Sequence, residues 1–163
     1  MMVIDNISKS YKKESVLENL SLDIDPSIIT SIIAPNGSGK STLMKLILGA
    51  LFPDSGTIQI DENDKSVSYL SEKEAYPDTF TVREIMAMEG KLYGCKEKEV
   101  WESKAVKVFE LSEFKNKKCK ELSKGMYRKL AICKSMLGEP DFLLMDEPFE
   151  GLDAVARGKL IEL

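Results

Sequence analysis

A nine-residue segment near the N-terminus constrains the fold of this chain more than any other feature. The segment covers residues 34–42 and reads Ala-Pro-Asn-Gly-Ser-Gly-Lys-Ser-Thr. A β-branched run at residues 28–33 precedes it, and the apolar spacing of residues 41–51 indicates a helix directly after it. We therefore expect a buried parallel strand, a tight glycine-rich loop and a helix that begins at this loop.

This strand–loop–helix order is the arrangement that holds the phosphates of a nucleotide. Gly37 and Gly39 allow the backbone to turn its N–H groups inward, and the helix N-terminus adds a dipole that favours bound phosphate. Lys40 can then reach the β- and γ-phosphates, and the Ser41 hydroxyl can bind Mg2+. The other loop residues that we expect to contact the nucleotide are Asn36, Ser38 and Thr42.

The overall composition is that of an ordinary globular protein. Of the 163 residues, 43% are hydrophobic and 31% are charged, and the net charge is −4. This acidic balance predicts no nucleic-acid-binding surface, and the apolar runs are far shorter than a membrane span. The three cysteines, Cys95, Cys119 and Cys133, follow no metal or disulfide spacing, so we expect a cytoplasmic protein with reduced thiols.

Hydrophobic periodicity predicts strands towards both ends of the chain and helices between them. The predicted strands cover residues 2–7, 16–25, 57–60, 67–70 and 142–145, with a turn at residues 12–15 between the first two. Thr81 and Glu84 have the spacing of a capping box, and further helices are predicted at residues 98–111, at residues 123–137 and after Asp153. We predict a single domain over residues 1–163, with a nucleotide-binding core at residues 1–72 and 141–163 and a helical subdomain at residues 73–140.

The apolar strand predicted at residues 142–145 ends in two carboxylates, Asp146 and Glu147. In phosphate-loop enzymes an acid at this position holds the magnesium ion, so Asp146 is a candidate metal ligand. Glu147 can polarise a water molecule for attack on the γ-phosphate, which makes it, with Lys40, a candidate catalytic residue. The alternative is a buried strand that happens to end in an acidic turn, and the presence of Lys40 and Ser41 weakens that interpretation.

A third motif, Leu-Ser-Lys-Gly at residues 122–125, opens the helix predicted at residues 123–137. Together with the phosphate loop, the Asp-Glu pair and Gly-Leu-Asp at residues 151–153, it resembles the ATP-binding subunits of ABC transporters over essentially the whole chain. The resemblance implies an α/β fold, a P-loop NTPase of the ABC ATPase type with a mixed sheet core and a helical subdomain insertion. Thr-Val-Arg-Glu at residues 81–84 and Leu-Tyr-Gly at residues 92–94 look most similar to bacterial drug- and antibiotic-exporting members.

The resemblance also implies roles for single residues and for partners. Tyr11 would stack on adenine, while Ser123 and Gly125 would contact the γ-phosphate of an ATP bound to a second, identical or different, subunit. Asp153 would lie at the same dimer interface. The implied function is MgATP-driven dimerisation and hydrolysis coupled to export through a separate integral-membrane permease, at the cytoplasmic face of the cell membrane. Met88 lies off the apolar stripe of its helix and is either a permease contact or an ordinary surface methionine.

Several positions depart from the usual pattern of the family. Glu72 stands where the family usually has a glutamine that touches magnesium and the attacking water. A carboxylate can still bind the metal there, but it adds negative charge beside the triphosphate. Ala34 replaces the first glycine of the loop, and Lys124 and Met126 replace a glycine and a glutamine of the Leu-Ser-x-Gly motif. Lys124 either attracts the partner's ATP or projects into water.

The sequence contains no histidine. The family has a histidine that contacts the γ-phosphate, beyond the Asp-Glu pair and one further core strand. We therefore expect the chain to lack the usual C-terminal part, and the strands at residues 28–33 and 142–145 to lose a packing neighbour. The missing histidine and Glu72 favour an alternative function, a non-catalytic ATP-binding regulatory module or a truncated protein with little turnover, whereas the intact Asp-Glu pair argues against it.

Overall fold

The chain forms two compact units, Met1–Val67 and Ser68–Leu163. They are seen in a computed structural model that describes residues 1–12, 14–61 and 66–163. Lys13, in the turn predicted at residues 12–15, lies outside the described residues. The predicted division into a nucleotide-binding core and a helical subdomain stays a prediction, because compactness alone does not assign function to either unit.

The first unit is built around an antiparallel sheet of three strands in the order β2-β1-β3. These are β1 (Met2–Tyr11), β2 (Glu14–Ile24) and β3 (Ser55–Ile60), and helix α1 (Lys40–Ile47) follows the glycine-rich loop. The strands predicted at residues 2–7, 16–25 and 57–60 are therefore confirmed. Apolar side chains of β1 and α1 form the buried part of the unit: Met2, Ile4, Ile7, Leu43, Leu46 and Ile47.

Residues 28–33, predicted to be a buried parallel strand, do not form a strand within the described part of the chain. Ile29 is 90% exposed and Ile33 is 94% exposed. A strand that is apolar on both faces is stable only where neighbouring strands pair with it and cover it. The prediction is wrong because β-branched composition favours a pleated, covered surface and does not supply the neighbours that make one.

The second unit is mainly helical and has a continuous apolar core. It contains β5 (Phe142–Met145), which pairs with β4 (Val67–Leu70), and the helices α2 (Val82–Leu92), α3 (Glu97–Glu102), α4 (Lys104–Val108), α5 (Lys124–Ser135) and α6 (Ala154–Ile161). Short 3-10 helices cover Leu111–Phe114 and Cys119–Glu121. Phe109, Leu111, Leu130 and Ile132 are fully buried in this core. No helix among the described residues is long and apolar enough to cross a membrane.

The helix predicted at residues 98–111 is divided into α3 and α4 at Ser103. Ser103 has an extended backbone, with φ −59° and ψ 149°. Its hydroxyl donates a hydrogen bond of 2.9 Å to the Val100 carbonyl. This side-chain bond gives the carbonyl a local partner in place of the next helical N–H, so it competes with continuation of the helix.

Three predicted helix starts are confirmed, and each carries a side-chain cap. Thr81 and Glu84 form the capping box of α2, in which the Thr81 N–H donates to the Glu84 carboxylate over 2.7 Å. Ser123 caps α5 by accepting from the Met126 N–H, and Asp153 caps α6 by accepting from the Ala156 N–H. Each side-chain oxygen satisfies a backbone donor that has no partner inside its helix.

The capping box of α2 predicts a pH-dependent contribution to stability. The Thr81 backbone N–H, and then its hydroxyl, hold the pKa of Glu84 below its ordinary value. This stabilisation is fully present above the ordinary glutamate pKa and is lost as the pH falls through the lowered folded-state pKa. We expect Glu84→Gln to unfold more easily than wild type at neutral pH, and the difference to shrink on acidification. Thermal unfolding of both proteins across this pH range measures it, and a pH-independent difference would contradict it.

Candidate nucleotide-binding site

The glycine-rich loop of the first unit has the backbone geometry of an anion-binding loop. Gly37 and Gly39 have φ values of 82° and 94°, in the left-handed region that only glycine adopts readily. Helix α1 begins at Lys40, directly after Gly39, and its Leu43 N–H donates to the Gly39 carbonyl over 2.8 Å. Left-handed residues directly before a helix N-terminus turn free N–H groups towards a common point, which is how protein loops hold phosphate.

The side chain of Lys40 lies back across this loop. Its Nζ donates to the Ala34 carbonyl over 2.7 Å and to the Pro35 carbonyl over 2.9 Å. The ammonium group is therefore held beside the loop backbone and brings a positive charge to the loop. A phosphate bound there would receive a charge-assisted hydrogen bond from Lys40 in exchange for the carbonyl contacts.

Gly39 is required for a second reason, because the loop lies tightly against β2. A Cβ atom at this position would stand 2.9 Å from Val16 Cγ1, 2.9 Å from Leu17 Cδ2 and 3.0 Å from the Val16 carbonyl oxygen. A Cβ atom at Gly37 would meet nothing within 4 Å. The two glycines thus share a conformation, but only Gly39 is also fixed by close packing.

The remaining nucleotide-contact candidates of the first unit are accessible. Asn36, Ser38 and Ser41 are exposed, and Thr42 is half-buried in the first turn of α1. Tyr11 ends β1 and is 45% exposed, so part of its side chain is accessible to a ligand.

The acidic pair lies at the end of β5 in the second unit. The Asp146 N–H continues the pairing of β4 and β5 by donating to the Leu70 carbonyl over 2.9 Å, and the Tyr69 hydroxyl lies 3.4 Å from Asp146 Oδ2. Burial, followed by the charge of Asp146, raises the pKa of Tyr69. Glu147 is exposed and has a φ of 48°, a left-handed conformation that is uncommon for glutamate.

The Leu-Ser-Lys-Gly motif lies at the N-terminus of α5. A Cβ atom at Gly125 would approach the Gly151 carbonyl oxygen to 3.3 Å, so the start of α5 packs closely on the turn before α6. Lys124 forms a 2.7 Å ion pair with Glu150 of that turn, which lowers the pKa of Glu150. Its side chain remains 73% exposed, so it projects into water while paired within its own chain.

The loop that carries Glu72 is attached to α5 by three side chains, none of which belongs to a recognised sequence motif. The Tyr127 hydroxyl accepts from the Tyr76 N–H over 2.8 Å and donates to the Glu74 carbonyl over 3.2 Å. Lys134 forms a 3.0 Å ion pair with the Glu74 carboxylate. Arg128 donates to the Ser71 carbonyl over 2.6 Å. Glu72 itself is exposed and lines a cleft of about 280 Å³ together with Arg128.

Arg128 also contacts the acidic pair. Its Nη2 donates to the Asp146 carbonyl over 2.8 Å and to the Glu147 carbonyl over 2.6 Å. Arg128 is only 6% exposed although it lies two positions from Met126 and from Leu130, off the apolar stripe from which α5 was predicted. Periodicity places such a residue in solvent, and we find no signal in the sequence that reveals its burial.

The structure brings part of the predicted site together within each unit. The first unit holds Tyr11 and the whole phosphate loop, including Ser41. The second unit holds Glu72, Ser123, Gly125, Asp146 and Glu147. Helix α5, which begins beside Ser123 and Gly125, is hydrogen-bonded through Arg128 to the carbonyl of Ser71, next to Glu72, and to the carbonyl of Asp146. Within the described residues, no group of three or more histidine, cysteine, aspartate or glutamate side chains is placed to hold a metal ion. The assigned roles of these residues stay predictions.

Comparison with known proteins identifies the class to which this loop and fold belong. Residues 17–150 match the sequence profile of the ABC transporter family. Over 99% of the chain, the fold superposes on the structure of the ATP-binding subunit of an ABC transporter with a TM-score of 0.88 and 29% identity, covering 72% of that protein. The chain belongs to the ABC transporter family, and the predicted α/β fold of the ABC ATPase type is confirmed.

The curated relatives serve several transport systems. The chain is 34% identical to the spermidine/putrescine import ATP-binding protein PotA of Fusobacterium nucleatum, over 97% of this chain and 45% of PotA. It is 30% identical to the Nod factor export ATP-binding protein I of Paraburkholderia xenovorans, over 94% of this chain and 54% of that protein. The chain therefore spans about half the length of the curated relatives it matches. The relatives are not specifically drug exporters, so they do not establish the predicted similarity to bacterial drug- and antibiotic-exporting members of the family.

The two loop glycines predict different sensitivities to substitution. Gly37→Ala and Gly39→Ala both force alanine into a left-handed conformation, which costs about 1–3 kcal/mol. Only Gly39→Ala also pushes a methyl group into Val16 and Leu17. We expect Gly39→Ala to lower the free energy of unfolding more than Gly37→Ala does, as measured by urea denaturation of both variants. Equal losses would show that the loop does not pack on β2 as described.

Proposed function

We propose that this chain is the ATP-binding and ATP-hydrolysing subunit of an ABC transporter. The observation that carries the proposal is the loop at residues 34–42, with two left-handed glycines before a helix N-terminus and the Lys40 ammonium held against it. Family membership supports ATP as the ligand, because the relatives that match the chain are described as ATP-binding proteins.

The loop and Tyr11 would bind the nucleotide. The N–H groups of the loop, with Asn36, Ser38 and Thr42, surround the phosphates, and Lys40 supplies positive charge to them. Gly39 fits this role because its missing Cβ allows the loop to lie on β2 without displacing the backbone. The exposed ring of Tyr11 would stack on adenine.

The candidate Mg2+ ligands are Ser41 in the first unit and Asp146 and Glu72 in the second unit. The donor set suits the ion, because Mg2+ prefers oxygen ligands and is usually held by one or two carboxylates together with phosphate oxygens. Such a site does not require three clustered acidic side chains. When bound, the ion neutralises charge on the phosphates. Glu147 is exposed and would orient and deprotonate the attacking water.

A second ATP-binding subunit would complete the site. Ser123 and Gly125 lie at the N-terminus of α5, where backbone N–H groups and the helix dipole favour a phosphate. The Ser123 oxygen accepts from the Met126 N–H, which leaves the hydroxyl hydrogen available to a ligand. In this arrangement ATP would favour a homodimer or heterodimer, with Asp153 at the interface, and hydrolysis would release it.

The helical part of the second unit would contact a membrane permease. Met88, Leu92 and Tyr93 near the end of α2 are 55%, 79% and 41% exposed, which gives an apolar surface at one place on the helix. The protein would then act in the cytoplasm, at the inner face of the membrane. Export is the proposed direction, supported by the segments at residues 81–84 and 92–94, although the relatives include both import and export proteins.

Removal of the Lys40 ammonium tests nucleotide binding. We expect Lys40→Ala to abolish MgATP binding, because the main positive charge at the loop is lost. The matched control is Lys45→Ala, which removes an exposed lysine from the last turn of the same helix and should bind like wild type. Isothermal titration of the three proteins with MgATP measures this, and unchanged affinity in Lys40→Ala would falsify the assignment of the loop.

Replacement of Glu147 separates hydrolysis from binding alone. Loss of a positioned general base typically lowers the rate by about 10²–10⁴-fold, and Glu147→Gln preserves size while removing the charge. We expect phosphate release to fall by this factor while MgATP still binds. Equal, near-zero rates in wild type and variant would instead support the non-catalytic regulatory module that Glu72 favours.

A further inference from the structure

Arg128 is the one residue of α5 that contacts both the Glu72 loop and the acidic pair through hydrogen bonds described above. Its guanidinium donates to the carbonyls of Ser71, Asp146 and Glu147, over 2.6, 2.8 and 2.6 Å. These carbonyls belong to the residue before Glu72 and to the two acidic residues themselves. The planar fork of arginine fixes the mutual orientation of several acceptors, which a lysine cannot do.

Because the Arg128 guanidinium is buried, its position depends on these three hydrogen bonds. A cation that is 94% removed from solvent loses its hydration, so its position is stable only where acceptors replace the lost water. Burial also lowers the pKa of Arg128, although the nearby acids Glu150, Glu74 and Asp146 oppose that shift. Because all three acceptors are backbone carbonyls, the bonds restrain the main chain and do not engage the carboxylates of Asp146 and Glu147.

Glu147 shows why such a restraint is needed. Its φ of 48° is a conformation that glutamate adopts rarely, and surrounding contacts must therefore hold it. The Glu147 carbonyl points to Nη2 of Arg128 at 2.6 Å. Rotation of Glu147 to an ordinary helical or extended conformation would reorient this carbonyl and break the bond.

We propose that Arg128 is a positioning residue that holds Glu147 in its left-handed conformation and fixes the backbone of Asp146 and of the loop entering Glu72 relative to each other. The inference rests on the proposed function, in which these acids bind Mg2+ and activate water. Arg128 would act only through the backbone of these residues and would not touch the nucleotide.

Three variants of the full-length protein test this inference. Arg128→Met removes all three bonds while keeping an unbranched apolar stem, and Arg128→Lys keeps the charge but loses the planar fork. The matched control is Arg157→Met, which removes another arginine–carbonyl bond of the same unit, from Arg157 Nε to the Leu152 carbonyl over 3.0 Å. The readouts are kcat and KM for MgATP and, without nucleotide, amide hydrogen exchange at residues 71–76 and 146–151.

We expect Arg128→Met to lower kcat by about 10- to 100-fold, as is typical when a residue that orients functional groups is removed, with KM close to wild type because the phosphate loop is untouched. Exchange should accelerate at residues 71–76 and 146–151 and stay unchanged at residues 34–42. Arg128→Lys should recover part of kcat, and Arg157→Met should leave kcat and exchange in both segments unchanged.

Two results would overturn the inference. One is wild-type kcat and exchange in Arg128→Met; the other is faster exchange throughout the second unit with no selective loss of kcat, which indicates a purely structural residue. If Arg128→Met does not fold, Arg128→Lys decides alone, and wild-type behaviour in that variant overturns the inference. Failure of the proposed function is a separate outcome, because wild type would then show no turnover of MgATP, whether or not it binds it, while exchange without nucleotide would still test the restraint by Arg128.

Discussion

Burial of α5 is the constraint on which the organisation of the second unit depends. Leu130, Ile132 and Cys133 of this helix are completely removed from solvent, and burial of apolar surface contributes about 25 cal/mol per Å² to folding. The helix is enclosed on more than one face, so it has little freedom to rotate or slide. The start of α5 contains the candidate site residues Ser123 and Gly125. Polar side chains of α5 form hydrogen bonds to the Glu72 loop and to the acidic pair. Apolar packing of α5 therefore fixes the positions from which its polar side chains form these hydrogen bonds.

Local features of the sequence predicted the parts of the structure that depend on neighbours in the chain. The capping box of Thr81 and Glu84 was readable because a cap involves residues only two or three positions apart. The left-handed glycines of the phosphate loop were readable for the same reason, since Gly37 and Gly39 are the residue type that such a turn requires. The order of motifs along the chain then identified the fold class.

Features that depend on distant partners were not predictable in this way. Residues 28–33 have the composition of a buried strand, but composition does not specify which strands will cover them, and Ile33 is almost fully exposed. Arg128 presents the opposite case, because a charged residue off the apolar stripe is buried by segments 57 and 18 residues away along the chain. Both the wrong prediction at residues 28–33 and the missed burial of Arg128 arise from tertiary contacts that periodicity does not contain. The sequence therefore predicted the residues of the candidate site, but it did not predict the tertiary hydrogen bonds that hold these residues in place.

The close approach of Gly125 to the turn before α6 has a consequence for how this sequence can change. A Cβ atom at Gly125 would stand 3.3 Å from the Gly151 carbonyl oxygen, and one at Gly151 would stand 3.1 Å from the Lys124 side chain. A side chain at position 125 would therefore require the backbone at position 151, 26 positions further along the chain, to move. No substitution at position 151 can make that room, because the obstacle is a main-chain carbonyl. A side chain at position 151 would itself have to adopt a left-handed backbone, with a φ of 77°, so each position is restricted by the path of the backbone rather than by the residue type at the other.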